Sequence, residues 1–184
     1  MSSIIEKDFE IYRYGLKVRL VTEDDAAFIV SIRTNRSRSE YIGATSSDVE
    51  DQRQWIRDYK FREALGKDYY FIFSLDEKPL GVYRLYDIKG EDFVCGSWVF
   101  SPDAPKGAAI LGCIIGREIA YEELQLTNCY TDVIKGNNSS MQFQMAFKPE
   151  ILKEDETKVY FRHSKKNFYQ IKPQFILLCS KLLK

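Results

Sequence analysis

The chain has 184 residues, the length of one domain able to bury roughly 70% of its unfolded surface. Its 45% hydrophobic and 29% charged residues are those of an ordinary globular protein, which excludes disordered, fibrous and small disulfide-bonded classes. Lys plus Arg (27) balance Asp plus Glu (27), so no overall field draws the chain to nucleic acid or an anionic membrane.

Leu16 to Val21 reads as a short strand, after which Thr22 caps a helix carrying Glu23, Asp24 and Asp25 in its first turn and running to about Arg33. A polar stretch, Thr34 to Ser46, leads to Ser47-Asp48-Val49-Glu50. This reads as a capping box opening a helix with Trp55, Ile56 and Tyr59 on one face and Gly66 at its end. Tyr69 to Leu75, Leu80 to Tyr86 and Phe93 to Phe100 alternate aromatic and β-branched residues between turn signals, predicting a three-stranded antiparallel meander. Pro105 suits the first turn of a helix whose body, Ala108 to Tyr121, has almost no polar face before Arg117 and Glu118 and is expected to be central. Thr127 to Ile134 follows as a strand, parallel to the preceding one because a helix connects them. A short helix from about Asn138 to Phe147 and a hairpin around Glu154-Asp155-Glu156 complete the order.

Met1 to Glu10 holds no apolar signal core, and the longest uncharged apolar run, Gly107 to Gly116, is half the ~20 residues that span a bilayer. A cytoplasmic protein with reduced thiols is expected. Cys95, Cys113, Cys129 and Cys179 lie far apart, and with His163 the single histidine no zinc set forms, so no metal is expected. Cys95 or Cys129 with His163 as base could in principle form a covalent acyl-enzyme, but free cysteines in strands behave as small hydrophobes.

The segment Trp98-Val-Phe-Ser-Pro-Asp-Ala-Pro-Lys-Gly-Ala-Ala-Ile110 runs from a strand through a small-residue loop into a helix. Converging N–H groups at such a helix start suit a phosphate, and Gly107, Ala108 and Ala109 leave its approach open; small residues equally let a helix pack closely on a sheet. In its order of elements from about Leu16 to His163, the chain resembles the GNAT family of acetyl-CoA-dependent N-acetyltransferases. Lys106-Gly107-Ala108-Ala109 is similar to the second half of the family's Q/R-x-x-G-x-G/A pyrophosphate loop, with Ala104 at the Q/R position. Thr131 to Phe143 is similar to the family's V-x-x-x-N-x-x-S/A-x-x-F/Y segment, with Asn137 and Ser140 at cofactor-facing positions. Gln144 stands where relatives often carry a Tyr or His acid, and Lys148-Pro149 where they carry Gly-Phe.

The resemblance implies one α/β (mixed α+β) domain over residues 1–184, with a mostly antiparallel central sheet flanked by helices and 164–184 as a docked helical extension. It implies that acetyl-CoA is held by Val99, Lys106, Gly107, Ala108, Ala109, Ile110, Asn137, Ser140 and Phe143. The acetyl group then passes directly to a primary amine. A bulge near Trp98 to Phe100 exposes main chain, with the Val99 N–H as oxyanion donor and Tyr130 as source of the leaving-group proton; Tyr130 in the sheet equally reads as packing. Gln-x-x-Trp-Ile at 52–56, Tyr-Tyr-Phe at 69–71, Gly-Ser-Trp at 96–98 and Asp-Val-x-Lys-x-Asn at 132–137 look most like acetyltransferases of nucleotide-linked amino sugars in surface-polysaccharide pathways. Arg33, Arg36 and Arg38, with Trp98, would then bind the acceptor and its diphosphate; a solvated loop is the alternative. A peptide N-terminus as acceptor, or a non-catalytic module, remains open. The basic apolar stretch Lys172 to Lys184 is expected to dock on its own domain or across a homodimer rather than on a membrane.

Overall fold

The computed structural model describes residues 4–35, 41–43 and 45–183. It begins with a hairpin of β1 (Glu10–Arg13) and β2 (Leu16–Leu20), of which β1 goes unseen in the sequence. Tyr14 and Gly15, at φ 53° and 87°, form its two-residue turn, the left-handed conformation that matches strand twist. The meander follows as β3 (Tyr69–Leu75), β4 (Lys78–Lys89) and β5 (Asp92–Phe100). After β6 (Asn128–Ile134), the predicted last hairpin is β7 (Glu150–Glu154) and β8 (Lys158–His163). Asp155 Oδ1 accepts the N–H groups of Thr157 and Lys158, each at 2.8 Å, in the turn between them. The eight strands form one sheet in the order β1-β2-β3-β4-β5-β6-β8-β7. Every adjacent pair is antiparallel except β5 and β6.

One face of the sheet carries α1 (Ala26–Arg33) and α2 (Val49–Ala64), with Ile29, Ile32, Ile56 and Tyr59 buried on Tyr70, Ile72, Val82 and Val99. A 3₁₀ turn, Glu23–Asp25, leads into α1, and Asp25 Oδ2 accepts the Thr22 N–H at 2.8 Å. The cap of α2 is Asp48 rather than Ser47: its side chain accepts from the Glu50 N–H at 2.8 Å, while Ser46 Oγ accepts from Asp48. Gly66, at φ 67°, ends the helix as expected.

The other face carries α3 (Ala108–Glu118), α4 (Asn138–Ala146) and α5 (Lys165–Ser180). Pro105 lies in the turn before α3, its carbonyl accepting from Ala108. The predicted last turn of that helix, Ile119–Glu123, winds as a π turn. Arg117 and Glu118, which read as the start of a polar face, are buried at 0% and 1% exposure. Partners from distant elements make this tolerable for Glu118: Arg13 and Tyr14 reach it at 3.2 and 2.6 Å, and Lys172 bonds it as well. The C-terminal helix begins at Lys165, within the extension expected from 164, and runs through Pro173. Phe175, Ile176 and Leu183 lie on the core, whereas Leu177 and Leu178 are exposed. Among the described residues no helix is long and apolar enough to cross a membrane.

Candidate active site

Two strands that part company create the site. β5 and β6 pair only from Asp92–Asn128 to Val94–Tyr130 and then diverge. Divergence is assisted by a bulge in β5: Arg84 faces Gly96 and Val82 faces Val99, so one residue more on β5 lies between these pairs than on β4. The bulge contains Ser97, at φ 46°, and lies slightly before the Trp98 to Phe100 position read from the sequence. Between the separated strands is a cleft of about 390 Å³, walled by Cys95 to Val99 on one side and Thr131 to Ile134 on the other.

The small-residue loop enters α3 at Gly107, at φ 91°. A Cβ there would stand 2.9 Å from Cys179 Cβ and 3.2 Å from its carbonyl oxygen, so the C-terminal end of α5 requires this glycine as much as an arriving phosphate would. Ala108 N–H is taken by Pro105, and Leu111 N–H by Gly107. The Ala109 and Ile110 N–H groups of the first turn have no intrahelical acceptor and are available to an anion. Lys106 to Ile110 do not line the cleft itself.

The remaining wall comes from α4. Asn137 caps it, its Oδ1 accepting the Ser140 N–H at 3.2 Å, and both residues line the cleft. Phe143 does not: its ring packs in the core, tilted against Trp98 and edge-on to Phe147 and Phe175, with centroids at 5.0, 5.3 and 5.4 Å, away from the cleft where the motif placed it as a cofactor contact. Trp98 lines the cleft, yet its indole N–H is committed to the Ala109 carbonyl at 2.8 Å, so it ties β5 to α3 and offers no hydrogen bond to an acceptor. Tyr130 pairs with Val94 and Arg162 at the closed base of the fork and does not line the cleft, removing the geometric basis for its role as acid. Burial and the nearby Asp132 push the Tyr86 phenol, which does line the cleft, up to about 12. Lys148 occupies the left-handed position after α4, at φ 51°, where relatives' glycine stands.

A second chamber of about 290 Å³ adjoins the cleft on the α1 and α2 side. Gln52, Trp55, Tyr70 and Ser97, four residues from three separate motifs in the sequence, converge there with Arg33 and Arg84. Arg84 is neutralised by buried Asp68, to which Arg62 also donates, and its guanidinium lies 5.0 Å from the Trp55 ring centre. Arg33 differs. It donates to Thr45 Oγ1 at 2.7 Å and to the Gly43 carbonyl at 3.3 Å, and it forms no ion pair with a carboxylate among the described residues. Arg33 and Ser97 line both cavities. Arg36 and Arg38 fall outside the described residues.

Sequence reasoning missed Arg84, Tyr86 and Lys158 as site-lining residues. A signal existed for Arg84 and Tyr86, which share the face of β4 opposite Tyr83 and Leu85 within the meander. The carboxylates on and beside β5 and β6 are occupied: Glu91 accepts from Thr127 at 2.6 Å, Asp92 from Asn128 at 2.7 Å, and Asp132 pairs with Lys158 at 2.7 Å. A forked cleft floored by main chain, beside a helix start with free N–H groups, fits an extended thioester carrying a phosphate-rich tail.

Residues 16–148 match the profile of the acetyltransferase (GNAT) domain. Among solved structures, the chain is similar to apo FdhC, described as a nucleotide-linked sugar GNAT, at 30% identity and a TM-score of 0.82, covering 96% of this chain and 99% of that one. Two further structures share the fold at 15% identity. The ribosomal-protein-S5-alanine acetyltransferase from Vibrio fischeri has a TM-score of 0.74 over 88% of this chain and 99% of its own. Mycobacterium smegmatis RimJ in complex with CoA-disulfide has one of 0.73 over 92% and 91%. No curated protein sequence matches significantly. With the profile spanning well over half its length and its strands forked where a thioester would lie, the chain belongs to the GNAT acetyltransferases.

Proposed function

We propose that the protein acetylates the primary amine of a nucleotide-linked amino sugar. One observation carries this reading: Gln52, Trp55, Tyr70 and Ser97, dispersed in sequence, close a single chamber with Arg33, and that chamber shares Arg33 and Ser97 with the cleft beside the bulge. An arginine with no carboxylate partner among the described residues suits a diphosphate, and an aromatic wall suits a sugar or base face. The 30% identity to a nucleotide-linked sugar GNAT supports the same acceptor class.

Acetyl-CoA, when bound, supplies an acyl carbonyl already activated for attack by an amine. Asn137 and Ser140 would line its path between the strands, and the first turn of α3 with Lys106 would receive its pyrophosphate. The main chain of the bulged segment, with Val99 as candidate, would donate to the carbonyl oxygen as charge develops there. With Glu91, Asp92 and Asp132 engaged and Asp51 of the acceptor chamber accepting from Ser46, no side chain is assigned as base: the acceptor amine would pass its proton to water, and the site's main contribution is to hold the two reactants together.

The test is calorimetric titration with acetyl-CoA, followed by thiol release on adding nucleotide-linked amino sugars or, separately, peptides with free N-termini. Release with the sugars alone is the expected result. Release with peptides alone would replace the acceptor, and binding without release to either would favour a non-catalytic module.

A further inference from the structure

The wall of the cleft contributed by α4 is backed by a buried cation. Arg117 of α3 is fully buried, forms no ion pair with a carboxylate among the described residues, and leaves Nε and Nη1 without hydrogen-bond partners. Its one hydrogen bond runs from Nη2 to Gln144 Oε1 at 2.6 Å, and its guanidinium lies 5.4 Å from the Phe147 ring centre. The titratable groups facing it are Tyr83 of β4, Cys95 of β5, Cys113 of its own helix, Tyr121 of the π turn, Cys129 of β6 and His163 of β8; none is a carboxylate.

An arginine has five donors and no acceptor. It therefore fixes which way the Gln144 amide points, holding the oxygen inward and leaving the NH₂ as the end that faces the cleft. Gln144 is 5% exposed and lines that cleft, and its Nε2 bonds to no described residue. The wall presents an oriented N–H donor polarised by a positive charge that no neighbouring carboxylate cancels. Such a group stabilises negative charge and cannot transfer a proton.

We propose that Gln144 is a catalytic residue that stabilises the departing sulfur by hydrogen-bond donation, with Arg117 the positioning residue that aims it. The inference rests on the acetyl-CoA reading of the cleft. In the balanced step, the amine nitrogen bonds to the acyl carbon and the carbon–sulfur bond breaks with its electron pair going to sulfur. The amine's proton passes to water, and the sulfur leaves as a thiolate against the Gln144 NH₂. Tyr86, Asp132 and Lys158 also line this cleft; the Asp132–Lys158 pair offsets its own charge.

The test compares the wild type with Gln144→Glu and Gln144→Met. Glutamate keeps the shape and pairs with Arg117, so that variant should melt no lower than the wild type; methionine removes the donor without adding charge. Titration with CoA near pH 8, in two buffers of different ionisation enthalpy and with desulfo-CoA as control, reads protons released as the bound thiol ionises. The wild type should release protons and both variants should not. Thiol release from acetyl-CoA with hydroxylamine as surrogate amine should fall about a hundredfold in each. Undiminished proton release and turnover in both variants, or a wild type that binds CoA without releasing protons, would overturn the proposal. A wild type that fails to bind CoA at all would overturn the reading of the cleft beneath it.

Discussion

Phe100 of β5 occupies the space that Gly112 of α3 leaves vacant: a Cβ on that glycine would stand 2.3 Å from the ring's Cζ. The ring is held equally closely from the sheet side, where a Cβ on Gly81 would lie 2.3 Å from Cγ. Helix and sheet are set at a distance only glycine permits. Gly112→Ala should destabilise the protein by about 1–3 kcal/mol through overpacking, read by urea denaturation. Phe100→Leu in that background should recover part of the loss; strict additivity of the two substitutions would refute the account.

His163 makes stability pH-dependent. Burial first, and the Arg117 charge second, hold its imidazole far below the ordinary value, at about 2. The folded protein therefore keeps it neutral, while the unfolded chain takes up a proton below about pH 6.5. Its contribution is present above that value and is lost as pH falls through it, by up to about 1.4 kcal/mol per pH unit. Denaturation at pH 7 and pH 5 should show a smaller loss in His163→Gln than in the wild type. An equal loss in the two would place the effect elsewhere.

Arg33→Met should raise the acceptor KM about tenfold or more, the loss expected for a charge-assisted hydrogen bond, with a smaller effect on kcat. Steady-state kinetics at saturating acetyl-CoA separate the two. A change confined to kcat would mean that this guanidinium does not hold the acceptor.

Lys148 adopts the left-handed conformation that closes α4, at φ 51°. Lys148→Gly should stabilise the protein by about 1 kcal/mol, because a side chain is strained there. A lower melting temperature in the variant would show that the lysine compensates through contacts of its own.

Most of the architecture was legible because its central elements are largely apolar runs buried along most of their length: Tyr69 to Phe73, Val82 to Leu85 and Leu111 to Ile115 announce a core by composition. β1 was not, since Glu10 to Arg13 place no residue fully inside. The burial of Arg117 and Glu118 was equally hidden, because their partners are tens of residues or more away in sequence. In the site, Asn137 and Ser140 line the cleft. Phe143 and Tyr130 do not, because a motif shows which residues share an element but not which of them the opening between β5 and β6 reaches. The bulge at Ser97 exists only relative to β4, so no reading of β5 by itself locates it.

Arg33 and Ser97 form a party wall between the two cavities. An occupant that draws the guanidinium toward its own side alters the surface offered to the other, so the affinities of the two co-substrates are thermodynamically linked. Whatever factor the acceptor imposes on acetyl-CoA, acetyl-CoA imposes on the acceptor, and removing the Arg33 side chain should bring that factor toward one.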